Sequence, residues 1–256
     1  MRLSGKKHSL MKDKVLPVLV ILLALATIGG ATAFFESIKK NDAVASLVVP
    51  TSHTVILIDQ TDTLSARCVA RLESMLKTLP ETIKPGETVS VFAIHANSDI
   101  AVTPLLSVRN PGREANEWIE NYRLKHEAFD KEFLEPISEV SSGLGNRPTS
   151  SASPIIETVN RIAEWHKFCD KVGHRRMVVF SDMLQNSPNC SDYSTSKVVH
   201  PASTGCPELV PLTGVEVDIN YVMRRNKTGI QTAAHRERWR NLFEKAGAEV
   251  HITPTM

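Results

Sequence analysis

An apolar run, Thr54-Val55-Ile56-Leu57-Ile58, leads directly into Asp59-Gln60-Thr61-Asp62-Thr63. The side chains of Asp59, Thr61 and Thr63 all end in hard oxygen, and residues two apart in an extended turn aim at one side. Such oxygens suit Mg²⁺, with Mn²⁺ or Ca²⁺ as alternatives, and not soft metals. Taken alone, the five residues read equally as turn chemistry, with Asp and Thr satisfying loop backbone groups. Two distant residues change that balance. Ser153 precedes Pro154 at the end of a Ser-rich stretch, and Asp182 follows the run Arg176-Met177-Val178-Val179-Phe180-Ser181. Two carboxylates would neutralise a divalent cation, and hydroxyls would fill part of its shell without adding charge. A remaining coordination position would accept a carboxylate from another protein. Each added residue also has a plainer reading. Ser153 is a good N-cap with Pro154 as the first helical residue, and Thr149, Ser150 and Ser151 compete for its role. Asp182 alone reads as a loop cap or a salt-bridge partner.

The elements that must position these residues follow from periodicity. Buried strands are expected at Thr54–Ile58, Thr88–Ile94 and Arg176–Ser181, with an alternating strand at Val215–Met223 and a short last one at Glu249–Ile252. Ala101–Val108 contains Pro104, which predicts an edge strand. Helices are expected over about 65–78, with Val69, Leu72, Met75, Leu76 and Leu79 on one face, and after Pro154, with Ile155, Ile156, Val159, Ile162 and Trp165 facing inward. A last helix runs over 233–246 and ends before Gly247. Between Glu114 and Val140, Trp118, Ile119, Tyr122, Phe129, Phe133 and Leu134 recur at helical spacing, as one long helix or two short ones. Strands alternating with helices imply an α/β, doubly wound, mostly parallel sheet. Ligands in such sheets bind at the carboxyl ends of strands near the switch point.

On these residues the chain resembles the von Willebrand factor A domain with its metal-ion-dependent adhesion site. That family shows D-x-S-x-S after its first strand, a Thr in a later loop and an Asp after its fourth strand. Here the motif stands as Asp59-Gln60-Thr61-Asp62-Thr63, the loop hydroxyl as Ser153, and the last acid as Asp182. Met183 replaces the glycine that usually follows. The resemblance spans residues 53–254, with a helical insertion at 110–146. It implies a Rossmann-like fold, metal ligands Asp59, Thr61, Thr63, Ser153 and Asp182, and metal-bridged binding of a protein partner through an acidic residue. It implies no catalysis. A competing enzyme reading, a phosphohydrolase of the haloacid dehalogenase type, needs a second acid two residues after Asp59, where Thr61 stands. A third reading keeps the fold but binds through the 110–146 helices without metal.

Location follows from residues 15–35, which are uncharged and long enough to span a bilayer as a helix. Arg2, Lys6, Lys7, Lys12 and Lys14 against Asp13 leave the first 35 residues at a net +4. With +2 for the whole chain, the remainder is −2. The basic segment 1–14 therefore belongs in the cytoplasm, and the domain after linker 36–52 in the periplasm or outside the cell, as in a bacterial-type single-pass membrane protein of an envelope assembly. Ala31-Thr32-Ala33 offers signal-peptide cleavage instead. The apolar run continues past it through Phe34 and Phe35, which favours an uncleaved anchor. No polybasic domain points to nucleic acid. Cys190 and Cys206 bracket a Ser/Pro/Thr-rich loop and are the expected disulfide in an oxidising compartment. Cys68 and Cys169 fall on expected helices, and the absence of C-x-x-C speaks against zinc.

Overall fold

Eight consecutive buried residues, Ser52–Asp59, form the first strand, β1. Such a run needs cover on both faces, as in a parallel sheet between helix layers. The computed structural model describes residues 51–61, 66–94, 103–112, 122–143, 150, 152–168, 171–193 and 206–255. These belong to one compact unit, Pro50–Met256. The proposed membrane segment, residues 15–35, lies outside the described residues. Among those described, no helix is long and apolar enough to cross a membrane.

After β1 come α1 (Ala66–Thr82), β2 (Thr88–Ile94), β3 (Leu106–Arg109), α2 (Tyr122–Phe129), a π-helical turn (Asp130–Leu134) and α3 (Glu135–Gly143). Then follow α4 (Ile155–Ala163), β4 (His174–Ser181), a small hairpin of β5 (Asn186–Ser187) and β6 (Cys190–Ser191), β7 (Val215–Val222), α5 (Ala233–Lys245) and β8 (Glu249–Thr255). The six-stranded sheet has the order β3-β2-β1-β4-β7-β8. Only β3 runs antiparallel, at the edge beside β2. This is the expected α/β architecture with a mostly parallel sheet.

The pleat sorts β1 into two cores. Val55 and Leu57 join Met177, Val179, Ile155, Val159, Trp239 and Phe243 on the α4/α5 face. Ile56 and Ile58 join Val178, Phe180, Leu72, Leu76, Phe129 and Phe133 on the α1 and α2/α3 face. Beyond β4 the second face opens to solvent, and Arg176 pairs there with Asp218 and Glu216.

Several element boundaries differ from expectation. α1 runs four residues past Thr78 with Pro80 inside its last turns, because proline there forfeits one terminal bond while Leu79 stays packed in the core. The 122–143 region is continuous through a π-helical turn, where Glu135 donates its N–H to the Asp130 carbonyl. Pro136 has no N–H and its ring crowds the carbonyl four residues back; the widened turn just before it relieves that clash. Tyr122, expected on the packed face, is 66% exposed, whereas Phe129 and Phe133 are buried. Trp118 and Ile119 lie outside the described residues.

Candidate metal centre

β1 ends on Asp59; β4 ends on Ser181, with Asp182 next. The two strands are paired, Ile58 opposite Phe180, and strand order reverses between them. Asp59 and Ser181 therefore reach the carboxyl edge at the switch point. By the period of two, both share the α4 side with Leu57 and Val179.

Asp59 is buried, and each carboxylate oxygen accepts two hydrogen bonds. Oδ1 accepts from the Thr61 backbone N–H at 3.1 Å and the Thr61 hydroxyl at 2.6 Å. Oδ2 accepts from the Ser181 hydroxyl at 2.7 Å and the Ser153 hydroxyl at 3.2 Å. A hydroxyl has one proton and two lone pairs, so donation to Asp59 leaves lone pairs free on Thr61 and Ser153. Ser181 spends one of its own on the Met183 N–H at 2.8 Å.

Ser153 reaches Asp59 without capping α4. Pro154 occupies the N-cap position, one residue later than expected, and makes no side-chain cap. A backbone bridge fixes Ser153 instead, its N–H and carbonyl pairing with Asn186 at 2.7 and 2.9 Å. The capping role passes to Gln185, whose side-chain oxygen accepts from the Ile156 N–H at 3.1 Å. The Gln185 amide nitrogen donates to Glu157 and Ser187.

Asp182 makes the contacts of its plainer reading, a loop cap and a salt-bridge partner. Its Oδ1 accepts from the Leu184 N–H at 2.9 Å. Its Oδ2 lies 2.5 Å from Arg224 Nε, which is not aligned to donate a hydrogen bond, so the contact is ionic. Gln231 secures this arrangement. It donates to the Asp182 and Val222 carbonyls and accepts from the Arg224 N–H at 2.7 Å. Met183 adopts φ +58°. It is fully buried, and its carbonyl accepts from the Trp239 indole at 2.8 Å. A bulky residue in the left-handed region is uncommon and strained. Both polar atoms of the Gln60 amide are shielded from solvent without a hydrogen-bond partner among the described residues.

A second polar chain backs the site. Gln185 N–H donates to Asp192 Oδ2, which also meets His235 Nε2 at 3.2 Å. His235 Nδ1 and the Tyr221 hydroxyl are 2.7 Å apart. Arg238 lies against Asp192 Oδ1. Burial disfavours ionisation of Asp192, but the His235 hydrogen bond and the Arg238 charge outweigh it and hold its carboxyl below the usual range. Burial also pushes the Tyr221 hydroxyl well above its ordinary value. Asp192 thus engages two of the basic side chains of α5, His235 and Arg238.

The structure brings together Asp59, Thr61 and Ser153, and sets Asp182 beside them in sequence after Ser181. Thr63 lies outside the described residues, as does Asp62. Sequence patterning does not single out Arg224, Gln185 or Gln231 at this site; Ser181, a polar residue closing an apolar strand, carries a signal. Hard oxygens from two acids and several hydroxyls fit a Mg²⁺-type cation chemically. Among the described residues no three His, Cys, Asp or Glu side chains cluster, so such an ion would rely on hydroxyls and water. Cys190 and Cys206 are joined as expected, with Cα atoms 4.6 Å apart. Comparison with protein-family models and with curated proteins finds no match.

Proposed function

We propose that this chain is a membrane-anchored, exported module of the von Willebrand factor A type that binds a protein partner through a divalent cation, Mg²⁺ first. The observation that carries the reading is the convergence of Thr61, Ser153 and Ser181 hydroxyls on the Asp59 carboxylate at the switch point. Asp59 and Asp182 would supply the charge that holds the ion; Thr61, Thr63 and Ser153 would supply hydroxyl oxygen. The ion would offer its open position to an acidic side chain of the partner. Residues 15–35 would hold the module at the membrane. The experiment is a pull-down from solubilised membranes with the full chain, in Mg²⁺ and in EDTA. Capture that survives EDTA and Asp59→Ala would sink the reading.

One observation favours a metal-independent scaffold. The Asp182 carboxylate already has a cation, Arg224, and Asp59 is satisfied by internal donors. In that case partners engage the 110–146 helices, and deleting that segment abolishes capture with or without EDTA. A phosphohydrolase is less well supported, because Thr61 in place of an acid leaves no general acid.

A further inference from the structure

Resting on the metal-binding reading, we infer that the Cys190–Cys206 disulfide positions Ser153 at the site, so that its reduction weakens divalent-ion binding. A ring of contacts that begins and ends on α4 carries the argument. Ser153, just before α4, pairs its N–H and carbonyl with Asn186 of β5. Asn186 stands opposite Ser191 of β6, and Ser187 opposite Cys190. The disulfide crosses from Cys190 to Cys206. The chain after Cys206 then returns to α4. Asn160 donates its side-chain N–H to the Glu208 carbonyl at 2.8 Å and accepts from the Val210 N–H at 2.9 Å. Leu212, fully buried, donates to the Ala246 carbonyl at 2.7 Å. Segment 208–212 is therefore fixed to α4 and to the end of α5, and the disulfide ties the hairpin to it.

The hairpin is the weakest member of this ring. β5 and β6 have two residues each, and a two-stranded ladder is marginally stable by itself. Asp192 anchors the carboxyl end of β6 to His235 and Arg238 of α5. The disulfide anchors its amino end, beside the turn at Pro188-Asn189. Freed there, β5 loosens its pairing, and Asn186 its hold on Ser153. The Ser153 hydroxyl makes the longer of the two bonds to Asp59 Oδ2, 3.2 Å against 2.7 Å from Ser181, so it is the first to go. Access favours the reaction. Cys206 is exposed, Cys190 is 8% exposed, and both line a surface cleft. A dithiol reductant bonds through its thiolate to Cys206 Sγ; the Sγ–Sγ bond breaks, and Cys190 leaves as a thiolate that takes up a proton. The second thiol of the reductant displaces Cys206 as a thiol. Two electrons pass to the protein, and the reductant departs as a disulfide.

Calorimetric titration of the detergent-solubilised full chain with Mn²⁺, oxidised and after dithiothreitol, tests this. The reduced chain is expected to bind about tenfold more weakly, the usual loss when the support of a ligand is removed. Hydrogen exchange on the same two samples without metal supplies the readout that a general staple would not move selectively. Amides around Ser153 and Asn186 are expected to exchange faster on reduction, while β1 and β4 keep their protection. Unchanged Mn²⁺ affinity overturns the inference and leaves the metal reading standing. Weaker binding with unmoved exchange at Ser153, or protection lost across the whole sheet, overturns it as well. No Mn²⁺ binding by the oxidised chain overturns both. Reciprocity gives a second measurement on the unaltered chain: saturating Mn²⁺ is expected to make the disulfide about 30 mV harder to reduce, the equivalent of tenfold for two electrons. An unmoved potential at saturation overturns the coupling.

Discussion

Asp59 is a buried acid whose worth lies in how many donors it organises. Four hydrogen bonds from three residues end on its two oxygens. Asp59→Ala strands buried hydroxyls at Thr61, Ser153 and Ser181, and is expected to cost about 2–4 kcal/mol in urea unfolding. Ser153→Ala removes one long bond and is expected to cost about 1 kcal/mol or less. Equal losses for the two would mean that Asp59 is not the hub. His53 poses a separate residue-scale question. Its Nδ1–H donates to the Lys167 carbonyl at 2.7 Å, so the neutral ring accepts from Ser90 at Nε2, 2.9 Å away. Trp165 and Phe168 meet it edge-on. Burial in this apolar setting lowers its pKa from 6.5 to about 4, against the opposing pull of the Lys167 carbonyl. The unfolded chain therefore takes up this proton first as pH falls. The contribution is complete above about pH 6.5 and is lost between there and pH 4, by about 3 kcal/mol at most. Urea titrations across that window are expected to show a pH-dependent loss that His53→Gln largely removes.

At the scale of elements, the turn after β4 sets two costs against one another. Met183 at φ +58° carries about 1–2 kcal/mol of backbone strain. Its side chain is fully buried, and emptying such a site costs about 2–5 kcal/mol. Burial wins. Met183→Gly is therefore expected to destabilise by about 1–3 kcal/mol despite removing the strain, read as a lower urea midpoint. A more stable variant would mean that the strain outweighs the burial. The amino end of α4 depends on a residue from another element. Gln185→Ala deprives Ile156 N–H of its acceptor and is expected to cost about 1 kcal/mol. The same substitution loosens the 185–187 segment that carries Asn186, the backbone partner of Ser153. It is therefore expected to weaken metal binding as well, whereas a cap acting only locally would leave metal affinity unchanged.

For the whole molecule, the sheet and its two helix layers build the frame, and the disulfide closes an excursion from it. Cys190 and Cys206 are 16 residues apart in sequence. Closing a loop of that size stabilises by about 3 kcal/mol in the chain-entropy account. Reductant, or the paired Cys190→Ser and Cys206→Ser change, is expected to lower the melting temperature of the full chain by several degrees, read by circular dichroism. An unchanged melt would assign the loop no role in stability. Metal gives a second whole-molecule readout: a ligand that binds only the folded state raises the melting temperature with its concentration. Restoring Mg²⁺ after EDTA is expected to raise it in wild type and not in Asp59→Ala.

The amino-acid sequence determined the classes of element and most of the sheet, because those depend on local periodicity. The runs Thr54–Ile58 and Thr88–Ile94 and the alternation over Val215–Met223 can satisfy their apolar side chains only as strands in a covered sheet. Asp59, Thr61 and Ser153 were legible for a related reason: each adjoins a strongly patterned element whose end is easy to place. The tertiary structure alone decided what those residues meet. The pairing of Asp182 with Arg224 depends on β4 lying beside β7, and no periodic signal links residues so far apart in the chain. Gln185 and Gln231 were unreadable on the same ground, since a glutamine that caps a distant helix or carbonyl looks like any polar loop residue. Tyr122 shows the converse: helical spacing puts it on the apolar stripe, but in the fold Phe129 and Phe133 are buried in the core while Tyr122 is exposed.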